Sequence, residues 1–166
     1  VNKSNPLEKV CRKLPTEVDC FVFSGRLLYL EALEVIRTPP KPFYALDELE
    51  GDINSILLKI LAEHRNFDLS RVFIDFATKE NNYLGLKEML PQDQWPRFND
   101  INYDAIGDAN KRTRDIHISL HKEGLVDLSI TRFGLIVTDL KAAGIPYIYA
   151  YPPKDYVINF FLQVTN

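Results

Sequence analysis

Two short turns in this chain each combine a hydroxyl, a glycine and an arginine, the groups needed to hold an anion. Ser24-Gly25-Arg26 follows the apolar run Val18-Asp19-Cys20-Phe21-Val22-Phe23. Thr131-Arg132-Phe133-Gly134 follows Val126-Asp127-Leu128-Ser129-Ile130, about 108 positions further on (126 − 18 = 108). Where a strand gives way to a helix, freed backbone N–H groups and the helix dipole favour negative charge. Arg132 adds a guanidinium able to grip an oxyanion through two N–H groups. The competing reading is that tight turns between strand and helix favour Gly and Ser for backbone reasons alone.

Other residues invite the same question. Lys154, in Tyr151-Pro152-Pro153-Lys154-Asp155, stands near a helix start and could meet an anion, while Asp155 suits a helix cap. Asp47, Glu48 and Asp52 could bind hydroxyls or an amine, but acids in a first helical turn are also what the dipole favours. His117 and His121 are spaced i, i+4, which can place two imidazoles on one metal. The residues between them, Ile118, Ser119 and Leu120, lack the glutamate of a zinc protease, so a half-exposed helix face is the preferred reading and no metal is assigned. Ser24 lacks a nucleophile elbow, because Val22 and Arg26 occupy its glycine positions. There is no Walker loop and no GxGxxG, so no cofactor is assigned.

The elements that position these groups alternate. Val18 to Phe23, Phe43 to Leu46, Val72 to Phe76, Val126 to Thr131 and Tyr147 to Tyr151 are short β-branched and aromatic runs. Val18 to Phe23 reads as a strand covered on both faces, with Cys20 a small buried side chain. Helical spacing marks Leu7 to Leu14, Leu27 to Ile36, Leu135 to Ala143 and the segment from Asp155, with Tyr156 to Val164 helical. Asp47 can cap a helix whose stripe is Leu49, Ile53, Ile56, Leu57, Ile60 and Leu61. Lys79 to Leu90 is another helix, and Asp104 to Lys122 the longest, with inner face Ile106, Ala109, Thr113, Ile116 and Leu120, ended by Gly124. Pro91 to Asn102 has no period and reads as a crossover or loop.

Strands alternating with helices predict an α/β fold of open, mostly parallel sheets with flanking helices. The 166 residues fit one domain read as two lobes, about 1–66 with part of the C-terminal region, and about 67–166. The two turns then become half-sites facing one cleft. Hydrophobic residues make up 46% and charged residues 26%, and the formal net charge is −3 with no dense basic stretch. That lacks the electrostatic footprint of a nucleic-acid binder, so no direct nucleic-acid contact is expected. No apolar run approaches the roughly 18 residues of a membrane span, and two cysteines make no disulfide framework, which points to the cytoplasm. The chain begins at Val1 with a helix and no preceding strand, which reads as a piece of something longer with a truncated first lobe.

The order of elements resembles the sensory domains of bacterial transcription regulators, nearest the propionate-catabolism regulator amino-terminal domain within the periplasmic-binding-protein-like, Rossmann-like architecture. The residues that carry this are VDCFVFSG plus its helix, KPFYAL plus its helix, LSRVFIDF, and the segment from LVDLSITRFG to YPPKDYVINFF. It departs from the family in its opening elements, and the family's RGG turn stands here as Ser24-Gly25-Arg26. The resemblance implies binding of a small-molecule effector and an attached DNA-binding or other output domain; the two turns lead us to expect an anionic metabolite, and a homodimer is a further expectation. Ser24, Gly25, Arg26, Thr131, Arg132, Gly134 and Lys154 are the expected ligand-binding residues. Two alternatives stand beside it. An enzyme acting on an organic acid would need a buried carboxylate or histidine with a displaced pKa beside the turns, with Asp19, Asp75 and Asp127 the carboxylates to inspect. An interaction module without ligand would have its cleft plugged by Phe133 or Tyr151.

Overall fold

The computed structural model describes residues 13, 15, 17–47, 50–99 and 109–164. Apart from Lys13, the helix expected over Leu7 to Leu14 lies outside them, as do Leu49 and Ile106. The chain divides into two compact units, one of residues 1–48 with 153–166 and one of residues 49–152. It is α/β, with a parallel sheet in each unit and flanking helices.

In the smaller unit β1 (Phe21–Phe23) and β2 (Phe43–Ala45) pair in parallel, Phe21 opposite Phe43 and Phe23 opposite Ala45. The connection is α1 (Arg26–Val35), whose Ala32 is fully buried. Phe43 meets the rings of both Phe21 and Phe23 edge-on, at 5.6 and 5.0 Å between centroids. Such edge-to-face pairs add to the area they bury. The expectation of a strand covered on both faces is corrected: every residue of β1 is half-buried, as is Cys20 just ahead of it. A two-stranded ribbon has too few neighbours to close over itself.

The larger unit holds four parallel strands in the order β4 (Arg97–Phe98), β3 (Val72–Ile74), β5 (Leu128–Thr131), β6 (Tyr147–Tyr149). Central β3 is buried throughout, as its unbroken Val-Phe-Ile run requires. The helix α2 (Glu50–Glu63) buries Ile53, Leu57 and Ile60 in one core with Val72, Ile74, Leu84, Leu86 and Ile130. Its stripe is the one its sequence spacing predicts, with Ile56 and Leu61 packed at the margin. A bidentate clamp joins the amino ends of the two central strands: Arg71 donates through Nη2 to Asp127 Oδ1 at 2.6 Å and through Nε to Oδ2.

Three local expectations are corrected. The segment 91–102 is not irregular throughout, because Arg97 and Phe98 pair with Phe73 and Ile74 as β4. The predicted helix Lys79 to Leu90 is instead a run of 3-10 turns, Lys79–Gly85, followed by the one-turn α3 (Leu86–Met89). Asn82, Tyr83 and Leu84 there all adopt left-handed backbone angles, with φ of 50°, 52° and 52°. On α4 (Ala109–Lys122) the fully buried residues are Thr113 and His117, whereas Ile116 and Leu120 are half-buried. The helix turns His117 inward because the sheet offers that ring two partners. The helix after Gly134 begins as a 3-10 turn, Gly134–Ile136, and continues as α5 (Val137–Ala142). Finally, α6 (Lys154–Val164) closes the smaller unit, with Phe160 near Tyr44.

Strand order fixes where a site can form in the larger unit. From β3 the chain moves outward to β4, then returns through α4 to β5 on the other side of β3, and continues to β6. The connections leaving β3 and β5 therefore diverge. In open α/β sheets that divergence opens a crevice at the carboxyl ends of the strands, where ligands bind.

Candidate functional site

Asp75 is the first residue after β3 and has no exposed surface. Its backbone N–H continues the ladder to Ile130 O at 3.3 Å, and Asn99, just after β4, donates to its carbonyl at 3.0 Å. Its Oδ1 accepts from the Arg132 backbone N–H at 3.3 Å, and its Oδ2 lies 3.0 Å from His117 Nε2. His117, fully buried on α4, places Nδ1 2.7 Å from Ser129 Oγ in the middle of β5. Ser129 Oγ is also 3.3 Å from Nε2 of the half-buried His121.

One proton arrangement satisfies the whole row. His121 Nε2–H donates to Ser129 Oγ, whose hydroxyl donates to His117 Nδ1, and His117 Nε2–H donates to Asp75. The edge of the Phe73 ring closes over His117 at 4.6 Å between centroids. His121 is held below the usual imidazole range, chiefly by burial and then by the repulsion His117 exerts when both rings are protonated, against the opposing pull of Asp127. Ser, His and Asp are the residue types of an acyl-transfer triad, but a nucleophile must reach its substrate. Ser129 has no exposed surface and its oxygen is held between two imidazoles, so this row is a support.

Above the support lies Arg132. Its side chain is 8% exposed, as is that of Asp52 on α2, whose Oδ2 is 3.9 Å away. That separation is too long for a hydrogen bond. No described residue accepts a hydrogen bond from the guanidinium. A guanidinium carries five donors, and the long ion pair with Asp52 leaves them open to a further acceptor. Asp75 fixes the Arg132 backbone, and the row through His117 and Ser129 fixes Asp75.

The remaining expected ligand residues divide between the units. In the larger unit Thr131 is fully buried, and its hydroxyl accepts from the Phe133 N–H at 3.0 Å, closing its own turn. Gly134 is exposed, and a Cβ there would come within 3.1 Å of the Tyr149 hydroxyl. Close approach of Tyr149 accounts for that glycine. In the smaller unit Ser24 is exposed, and Gly25 has φ 175°, an extended conformation open to any residue. Arg26 pairs with Asp47 at 3.5 Å, both well exposed. Lys154 is exposed on the first turn of α6, and Asp155 stands inside that turn, so the expected cap at Asp155 is corrected to a charge favoured by the dipole.

The half-exposed setting expected for the histidine pair is corrected for His117. The two rings converge on Ser129 Oγ, and no metal-holding group of three or more His, Cys, Asp or Glu occurs among the described residues. Sequence reasoning singled out Arg132 and named Asp75 and His117, the latter on a half-exposed face, but missed Ser129 and Asn99. One signal was available, since a serine inside the apolar run Val126 to Ile130 must find a polar partner when the strand is buried.

No family model matches this chain, and neither a curated protein nor a solved structure is significantly similar to it. No helix among the described residues is long and apolar enough to cross a membrane.

Proposed function

We propose that this chain is a sensory domain that takes a small anionic metabolite at the carboxyl ends of β3 and β5. The observation that carries the reading is Arg132, a nearly buried guanidinium at the divergence of the sheet with no hydrogen-bond acceptor among the described residues. An oxyanion is the partner its fork fits. In this reading the domain has the two-lobed, Rossmann-like design of the propionate-regulator family and works in the cytoplasm. Ligand binding shifts the balance of states of an attached output domain, or of a homodimer, through its different affinity for those states.

The test is a thermal-shift screen with carboxylates of one to three charges and with inorganic phosphate. A ligand at about 100 times its Kd adds about 2.7 kcal/mol of stability, a shift of several degrees for a domain of this size. The expected result is a shift for one class of anion that disappears in Arg132→Ala and is reduced in Arg132→Lys, which keeps charge but loses the fork. An equal shift in Arg132→Ala removes the assignment.

A further inference from the structure

The edge of the larger sheet carries a second arrangement that the anion site does not use. The Lys87 ammonium of α3 lies 3.5 Å from the Tyr83 ring centroid, 5.1 Å from that of Trp95 and 5.4 Å from that of Phe98. Three rings around one cation form a cage of the kind that binds ammonium groups through their negative faces.

The walls are fixed independently of the lysine. Phe98 belongs to β4 opposite Ile74 and packs on the core. The Trp95 indole N–H donates to Leu90 O at 3.0 Å. Tyr83 stands at the centre of the left-handed turn, its backbone N–H bonded to Thr78 O at 2.8 Å, and its ring lies 4.8 Å from that of Phe98. Asn81 secures the same turn by donating to Phe76 O at 2.7 Å and accepting from Thr78 N–H at 2.9 Å. Three non-glycine residues in left-handed geometry are costly, and such strain persists only where the surroundings enforce it.

The occupant is a half-buried lysine whose ammonium lies against the rings. No described residue accepts a hydrogen bond or offers a carboxylate to the Lys87 ammonium. A lysine ammonium is compact, strongly hydrated and has three donors to satisfy. A quaternary ammonium has no N–H groups and disperses its charge over methyl groups, so rings alone suffice for it. We propose that Tyr83, Trp95 and Phe98 form a binding site for a quaternary ammonium group, held closed by Lys87 until that side chain swings out.

Trp95 is the single tryptophan of the chain and serves as the reporter. Tetramethylammonium chloride is titrated against sodium chloride at matched ionic strength, following Trp95 emission. The unsubstituted protein should respond saturably to tetramethylammonium and not to sodium. Lys87→Ala should respond with an apparent Kd about tenfold lower, the loss of a competitor worth about one power of ten. Adding Phe98→Leu to Lys87→Ala should abolish the response. Lys87→Gln replaces Lys87→Ala if the alanine protein is unfolded by circular dichroism. The proposal is overturned if neither Lys87 variant responds saturably, if sodium gives the same response, or if a folded Phe98→Leu variant binds as before.

Discussion

His117 is bonded through both ring nitrogens while having no exposed surface, and its removal would strand Asp75 and Ser129. Leaving a buried polar group without its partner costs about 1–3 kcal/mol, and more when that group is charged. His117→Leu should lower unfolding stability in urea by that amount, and a loss below about 1 kcal/mol would show that the row is not a support. His121 gives a pH test with a definite sign. Its folded pKa is depressed, so below the ordinary imidazole value of about 6.5 the unfolded chain holds more protons than the folded one. Stability should therefore fall as pH drops from about 6.5 through the folded pKa, and His121→Gln should flatten that slope. Asp127, held low by its bond to Arg71, acts in the same direction, but only below the carboxylate range. At this scale the sequence was half legible. Arg132 could be found because its chemistry is local to one turn. The burial of His117 could not, because the i, i+4 spacing says nothing about which side of the helix the sheet will claim.

Two helices of the larger unit end by the same device. Gly124 and Gly144 follow α4 and α5 with φ of +67° and +69°. In each case the next residue reaches back to the helix, Leu125 N–H to Leu120 O and Ile145 N–H to Leu140 O, both at 3.0 Å. This is a Schellman ending with an apolar residue just beyond the glycine. Nothing lies within 4 Å of the place a Cβ would occupy at Gly144, so Gly144→Ala tests backbone strain alone. It should lower stability by about 1–2 kcal/mol in denaturant unfolding. Gly124 was readable as such a stop because a periodic helix ran into it. The left-handed turn at Asn82 to Leu84 was not readable, since Lys79 to Leu90 contains no proline and only Gly85 late in the segment. The Asn81-Asn82 pair was its one hint, as asparagine tolerates left-handed angles better than most residues. β4 escaped notice because two residues after a proline are too few to show a period.

The α/β class was legible across the whole molecule, because unbroken β-branched runs such as Val72 to Ile74 signal strands buried on both faces. The same reasoning overestimated β1, whose runs look alike but whose sheet has only two strands. The units accordingly differ in how much they bury: β3 is covered throughout, whereas β1 and β2 are half-buried at every position. Amide protection tracks such burial. Hydrogen exchange should therefore be slowest in β3 and β5 and clearly faster in β1 and β2, and equal protection in both sheets would contradict the packing described.

The pairing of the two central strands has a consequence for synthesis. Val72 meets Leu128, so β3 must wait for a partner encoded 56 residues later (128 − 72 = 56). At about 5–20 residues per second, that delay is roughly 3–11 s on the ribosome. Until β4 follows, 24 residues after its partners (97 − 73 = 24), the most apolar strand of the larger unit has neither of its permanent neighbours, and it lacks β5 throughout the delay. Nascent chains stalled between these two strands are where chaperone capture and aggregation should concentrate.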